Sequence, residues 1–102
     1  VRIRMNEQLC SVLFTNLLKN AYMHSPSGSV VNVRLSAKSL VVSNDGDTPL
    51  DKLRIFDRFY QGRGRKEGSS GLGLALVKSV CGRYSFELDY EYDGRHNFTV
   101  IF

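Results

Sequence analysis

The stretch Phe14–Ser25, FTNLLKNAYMHS, lies largely within a predicted amphipathic helix, Glu7–His24. On a helical wheel the apolar side chains of this helix gather on one broad arc; they are Leu9, Val12, Leu13, Leu17 and Met23. Asn16 and Asn20 lie inside that arc, one turn apart. A single inward Asn would be expected to bond nearby backbone, because an unpaired buried polar group costs about 1–3 kcal/mol. A pair on successive turns indicates instead a cavity for phosphate oxygens and a hard cation.

Composition limits what the chain can be. Its 102 residues suit one domain with one core. With 42% hydrophobic and 24% charged residues, it has the composition of an ordinary soluble globular domain. No apolar run approaches the ~20 residues that cross a bilayer, and no signal peptide opens the chain. Because the first residue is Val1, we expect a fragment of a larger protein.

The charge of +4 fits a polyanionic ligand, whether nucleotide or nucleic acid, but it fits a solvated basic loop equally well. The basic residues considered are Arg2, Arg4, Arg54, Arg58, Arg63, Arg65 and Lys66. Cys10 and Cys81 are far apart in apolar helical patterns, which predicts two buried free thiols in a reducing compartment.

Two β-hairpins are predicted from alternating apolar residues. Ser29–Leu35 reads as a half-buried strand that returns through the apolar strand Leu40–Ser43 and stops at Asn44. Phe86–Tyr92 alternates strictly and turns at an Asp-Gly pair into Phe98–Phe102.

Three helices accompany these hairpins. Asn6 is the predicted N-cap of the first helix, Asp51–Phe59 a short second helix, and Leu72–Cys81 a long third helix stopped by Gly82. The short helix should bury Leu53, Phe56 and Phe59. The polar, basic stretch Gln61–Ser70 is predicted to be a mobile loop. This order predicts an α+β fold, a two-layer α/β sandwich whose mixed, mostly antiparallel sheet carries helices on one face.

Two glycine-bearing stretches are candidate binding elements. Gly68–Leu74 runs into a helix, whose first N–H groups and dipole favour an anion; the alternative is a flexible linker. The stretch is neither a Walker A loop nor a dinucleotide fingerprint. Asn44–Gly46 could accept a bond from an exocyclic amine beside a glycine that admits a planar ring, or it is an ordinary turn. Phe56 and Phe59 are expected to pack in the core.

Taken in order, these motifs resemble the ATP-binding catalytic domain of sensor histidine kinases, in the superfamily of gyrase, heat-shock and mismatch-repair ATPases. The resemblance runs from about Asn6 onward and implies a Bergerat-type ATP-binding fold. The asparagine box corresponds to Asn16, Asn20, Ala21 and His24, the first glycine box to Asn44–Gly46, the phenylalanine box to Phe56–Phe59 and the second glycine box to Gly71–Leu74.

The resemblance implies a role for each box. Asn20 would bind the Mg²⁺ that bridges the ATP phosphates. Asn16 takes the place of a general-base glutamate, and an amide cannot activate water. Asn44 would meet the adenine amine, and Gln61–Ser70 would be the ATP lid. His24 either lines the phosphate region or packs at the helix end. The implied ATP-binding residues are Asn16, Asn20, His24, Asn44, Gly46, Phe56, Phe59, Gly71, Leu72, Gly73 and Leu74; no catalytic side chain is implied.

The sequence departs from the family pattern at three positions. Asn44 replaces an aspartate, Thr48 replaces a glycine, and Met23 replaces a basic residue that often contacts phosphate. The lid is also short. We therefore expect weaker or altered purine recognition.

The expected function is to bind Mg-ATP and to present its γ-phosphoryl group to a histidine on a separate dimerisation domain, with a response regulator downstream. We expect a cytoplasmic domain that does not enter the membrane, binds no nucleic acid and is inactive alone, within a parent anchored in the bacterial inner membrane. One alternative is a degenerate nucleotide sensor without phosphotransfer. Another is a basic nucleic-acid module, which rests on charge alone.

Overall fold

The computed structural model describes residues 5–25, 28–46, 49–57 and 73–102. Its elements are α1 (Glu7–His24), β1 (Asn32–Leu35), β2 (Ser39–Asp45), α2 (Gly73–Arg83), β3 (Glu87–Tyr92) and β4 (Arg95–Ile101). The four strands form one sheet in the order β1-β2-β4-β3, and every pair is antiparallel. The helices contact each other and pack on β2 and β3. The predicted α+β class is confirmed, and the described strands include no parallel pair.

Helix α1 has the bounds that the sequence predicts. The Asn6 side chain accepts hydrogen bonds from the backbone N–H groups of Gln8 (2.8 Å) and Leu9 (3.2 Å), which satisfies two donors at the helix start. At the other end Ser25 is extended, with φ −85° and ψ 142°. This conformation suits a residue that precedes proline. Along the inner face of the helix Leu13, Leu17 and Ala21 are fully buried.

Strand β2 is longer than predicted, because it continues through Asn44 and Asp45. In the antiparallel register these two residues face His96 and Arg95 of β4, which itself begins before the predicted Phe98. The prediction that the strand stops at Asn44 is therefore wrong. Ladder pairing with β4 overrides the turn preference of an Asn-Asp-Gly sequence.

Strand β1 is shorter and more exposed than predicted. It covers only Asn32–Leu35, and Val33 and Leu35 remain 51% and 49% exposed. Their partners Val42 and Leu40 are buried on the helix side of the sheet. The expected half-buried strand is wrong for β1, because this strand lies at the sheet edge while the helices pack mainly over β2 and β3.

The segment after β2 does not form the predicted helix Asp51–Phe59 over its described part, 51–57. It is a run of turns, in which the Asp51 carbonyl accepts from the N–H groups of Arg54 (3.0 Å) and Ile55 (2.8 Å). Helical spacing therefore fails to identify the buried side: Leu53 is 91% exposed, whereas Ile55 is buried. Phe59 and the predicted mobile loop Gln61–Ser70 lie outside the described residues.

Helix α2 ends at Arg83, so the prediction of Gly82 as the stop is wrong. The residue with positive φ is Ser85, at +58°. The N–H of Ser85 bonds the carbonyl of Gly82 (3.3 Å), and the N–H of Phe86 bonds that of Cys81 (2.9 Å). This is the Schellman arrangement with serine in the position that usually carries glycine.

Both cysteines are free thiols, as predicted. Cys81 of α2 is buried, but Cys10 of α1 is only half-buried, which corrects the prediction for that residue.

Candidate functional site

Asn16 joins the asparagine pair to the start of α2. Its amide nitrogen donates a hydrogen bond of 2.8 Å to the carbonyl of Val12. The nitrogen is therefore satisfied by nearby backbone, as expected for a single inward asparagine. Its amide oxygen faces Gly73, where an added Cβ would lie only 3.1 Å away. The missing side chain at Gly73 therefore allows the close approach of Asn16 to the first turn of α2, and the structure brings two of the predicted motifs together.

Asn20 occupies the next turn of α1 and is half-buried. Its side chain makes no hydrogen bond to any residue of the described ranges, in contrast to Asn16. Within the described ranges, the amide oxygen of Asn20 therefore remains an unused hydrogen-bond acceptor. The described ranges contain no group of three or more His, Cys, Asp or Glu side chains that could hold a metal ion.

Asn44 is the most unusual polar residue of the core, because it is only 1% exposed. Its amide nitrogen donates to the carbonyl of Asp45 at 3.2 Å. Its amide oxygen finds no hydrogen-bond donor in the described part of the protein. A buried acceptor left in this state costs about 1–3 kcal/mol. The bond to Asp45 uses the amide nitrogen, so the amide oxygen is the unsatisfied atom, and a group that donates a hydrogen bond would satisfy it.

Gly46 lies against a planar ring that belongs to the protein itself. The predicted approach of a ligand ring to this glycine stays a prediction. A Cβ on Gly46 would lie 2.0 Å from Nε2 of His96 and 2.4 Å from its Cδ2. His96 is a residue of this corner that no predicted motif contains. The signal was present, because His96 is in phase with the buried residues Phe98 and Val100 along β4.

Phe56 packs in the core, as predicted, with its ring edge-on to Phe98 at a centroid distance of 6.2 Å. Leu74 also packs against the core cluster. The remaining predicted site residues, Phe59, Gly71 and Leu72, lie outside the described residues, and of His24 only the backbone at the end of α1 is described.

The matched family covers nearly the whole chain. Residues 5–102 match the family of histidine kinase-, DNA gyrase B-, and HSP90-like ATPases, and the chain belongs to this family. Sensor proteins are among the relatives that the chain matches. The chain is 38% identical over 95 residues to the sensor protein QseC of Salmonella typhi, covering 91% of this chain and 21% of that protein. It is 37% identical over 93 residues to the sensor-like histidine kinase SenX3 of Mycobacterium bovis, covering 82% and 23%.

A solved structure agrees with these sequence matches. The mycobacterial sensor histidine kinase MprB superposes with a TM-score of 0.83 at 26% identity, covering 97% of this chain and 74% of that one. The resemblance to the ATP-binding domain of sensor histidine kinases is thus confirmed. The chain spans about a fifth of the length of the curated relatives it matches. Neither α1 nor α2 has the length and apolar character needed to traverse a bilayer.

Proposed function

We propose that this chain binds Mg-ATP and presents the γ-phosphoryl group for transfer to a histidine on a separate dimerisation domain, in two-component signal transduction. The observation that carries the proposal is the buried, unpartnered amide oxygen of Asn44. Two amide oxygens suit a purine nucleotide. The Asn44 oxygen on β2 would bind the base, and the Asn20 oxygen on α1 would bind the metal at the phosphates.

At the base end, the Asn44 oxygen accepts a hydrogen bond from the 6-amino group of adenine. A 6-oxo purine offers an acceptor at the same atom, which would leave the Asn44 oxygen unpaired and bring two acceptors together. Loss of a hydrogen bond of this kind costs about 1–3 kcal/mol, or roughly fivefold to 150-fold in affinity. The site therefore selects adenine over hypoxanthine.

At the phosphate end, the Asn20 oxygen is a hard ligand suited to Mg²⁺. When bound, Mg²⁺ neutralises charge on the phosphates of ATP, and ATP supplies the phosphoryl group. Asn16 contributes no base, because its amide nitrogen is bonded to the Val12 carbonyl and an amide does not take up a proton near neutral pH. The bound nucleotide is thus protected from activated water. The backbone N–H groups of Gly71–Leu74 complete the phosphate site.

The phosphoryl acceptor lies outside this chain. Among the described side chains the histidine is His96, and its exposure of only 6% disfavours it as an acceptor for a bulky phosphoryl donor. The histidine-bearing dimerisation domain belongs to the same parent protein, and a response regulator receives the phosphoryl group next. We place the domain in the cytoplasm and the parent in the bacterial inner membrane.

A second candidate is a nucleotide sensor that binds without transferring. It is favoured by Asn44 in place of aspartate, because an amide forms weaker hydrogen bonds than a carboxylate. Mixing the chain with a histidine-bearing dimerisation domain and γ-labelled ATP separates the two: acid-labile phosphohistidine supports transfer, and its absence despite nucleotide binding supports the sensor.

Nucleotide binding is tested by titrating the chain with ATP in the presence and absence of Mg²⁺. Asn20→Ala should weaken Mg²⁺-dependent binding by about tenfold, since one metal ligand is lost. Asn32→Ala, which removes an exposed asparagine of β1, should bind like wild type. Equal ATP affinity in the Asn20→Ala and Asn32→Ala variants would overturn the assigned role of Asn20, and a wild-type chain without ATP affinity would overturn the proposal.

A further inference from the structure

Three inner-face side chains of the β3–β4 hairpin hold the backbone on both sides of residues 47–48. On the Gly46 side, the Tyr92 hydroxyl donates a 2.7 Å hydrogen bond to the carbonyl of Gly46, and the His96 ring occupies the space beside the Gly46 Cα. On the Leu50 side, the N–H of Leu50 donates to the Tyr90 hydroxyl at 3.0 Å. The β3–β4 hairpin is therefore bonded both to the end of β2 and to the start of the following segment.

These three side chains also hold one another. The Tyr90 hydroxyl and Nδ1 of His96 are hydrogen-bonded at 2.7 Å, and both residues are buried. The His96 ring lies between two aromatic neighbours, at centroid distances of 5.8 Å from Tyr90 and 5.3 Å from Tyr92. Close packing and internal hydrogen bonds leave such a cluster little rotamer freedom.

The cluster lies in register with the proposed base-recognition atom. Asn44 of β2 faces His96 of β4, and His96 faces Tyr92 of β3, so the three form one row across the helix-covered face of the sheet. Side chains directly opposite each other in such rows are close neighbours. Tyr92 and His96 also contact Gly46, which lies two residues after Asn44, so a shift of the Gly46 backbone would be passed to the Asn44 amide both along the chain and through this row.

We propose that Tyr90, Tyr92 and His96 are positioning residues for purine recognition. They fix the Gly46 corner so that the Asn44 oxygen meets the 6-amino group of the base at hydrogen-bonding distance. The inference rests on the proposed nucleotide binding and extends it to the discrimination between 6-amino and 6-oxo purines. None of the three side chains needs to touch the nucleotide.

Three tyrosine-to-phenylalanine variants test the proposal, because each removes one hydroxyl that bonds the main chain. Tyr90→Phe and Tyr92→Phe act at the Gly46 corner. Tyr84→Phe is the matched control, since its hydroxyl accepts a 2.8 Å hydrogen bond from the N–H of Asn6 at the start of α1. The affinities of the wild-type chain and each variant for ATP and inosine triphosphate are measured with Mg²⁺ by calorimetry, together with the melting temperature.

The ratio of the two affinities is the decisive quantity. It should fall by about threefold to tenfold in Tyr90→Phe and Tyr92→Phe, the effect of one misplaced hydrogen bond. It should stay within about twofold of wild type in Tyr84→Phe, even where all three variants lose comparable thermal stability. A purely structural role would lower stability and leave the ratio unchanged.

Two results overturn the inference in distinguishable ways. If the wild-type chain prefers ATP and both corner variants keep the full preference, the positioning role is wrong while the proposed function stands. If Tyr84→Phe loses the preference equally, the effect is a general loss of stability and the positioning role again fails. A wild-type chain that binds neither nucleotide overturns the proposed function itself.

Discussion

Among the described glycines, Gly46 has the least room for a side chain. The His96 ring fills the place where a Cβ would project, and that ring cannot swing away because Tyr90 is hydrogen-bonded to it and Tyr92 packs beside it. Glycine is required here by close approach and not by an unusual backbone conformation.

Gly46→Ala should therefore lower the free energy of unfolding by about 1–3 kcal/mol, the cost of overpacking a filled site. Urea unfolding followed by circular dichroism measures the change. The control is Gly82→Ala in α2, where an added Cβ meets nothing within 4 Å. This control should be neutral or stabilising by up to ~1 kcal/mol, because alanine favours the helix. Equal stability of the two variants would contradict the crowding at Gly46.

The sequence was enough to identify the asparagines of the site, but not to predict how deeply each one is buried. Asn16, Asn20 and Asn44 stand out in the sequence because polar amides interrupt apolar patterns. The burial of Asn44 could not be read locally, because it depends on β4 starting early enough to face it with His96. Strand pairing over such a separation leaves no short-range signature.

Among the elements, α2 is followed by a strained residue two positions after its end. Ser85 has a φ of +58°, which costs a non-glycine residue about 1–2 kcal/mol, although its backbone completes the two capping hydrogen bonds of α2.

Ser85→Gly should raise the free energy of unfolding by roughly 0.5–1 kcal/mol, because relief of that strain exceeds the added chain entropy of the unfolded state. Thermal unfolding provides the measurement. Ser79→Gly makes the same chemical change at an exposed position inside α2 and should lower stability instead, since glycine is a poor helix former. A loss of stability in both variants would show that the left-handed conformation of Ser85 carries no penalty.

Elements with strong local signals were the predictable ones. Helix α1 has a cap at Asn6, a long apolar arc and a terminating proline, and its bounds came out as predicted. The β3–β4 hairpin has strict alternation around Gly94, whose φ is +96°. The segment Asp51–Asp57 failed because tertiary contacts, and not helical period, select Ile55 as its buried residue.

On the scale of the whole molecule, the buried thiol of Cys81 links stability to alkaline pH. Burial raises the pKa of Cys81 from 9.0 to about 11. Below about pH 8 the thiol is protonated in both the folded and unfolded states and contributes no pH dependence. Between about pH 9 and 11 it ionises only in the unfolded state, so the free energy of unfolding falls as the pH rises.

The expected loss from this group is about 2 kcal/mol across that window. Urea unfolding at a series of pH values from 8 to about 10.5 measures it. Cys81→Ala should flatten the curve by this amount relative to Cys10→Ala, which keeps the buried thiol and shares every tyrosine and lysine titration. Parallel curves for the two variants would show that the Cys81 thiol titrates alike in both states.

The layered architecture was predictable as a whole, because alternating strands and amphipathic helices each present one apolar face. The order of the strands was not, since nothing local states that β4 inserts between β2 and β3. The exposure of Val33 and Leu35 follows from that order, which leaves β1 at the rim.

The rim position of β1 has a consequence for how copies of this chain behave in concentrated solution. On its outer side, β1 pairs with no described strand, so its outward N–H and C=O groups lack strand partners there. An edge of this kind can pair with a strand of another molecule. Arg34 and Lys38 place like charges on this hairpin, so two approaching rims repel. We therefore expect copies of the chain to associate more readily as the salt concentration rises, because salt screens the repulsion between these positive charges.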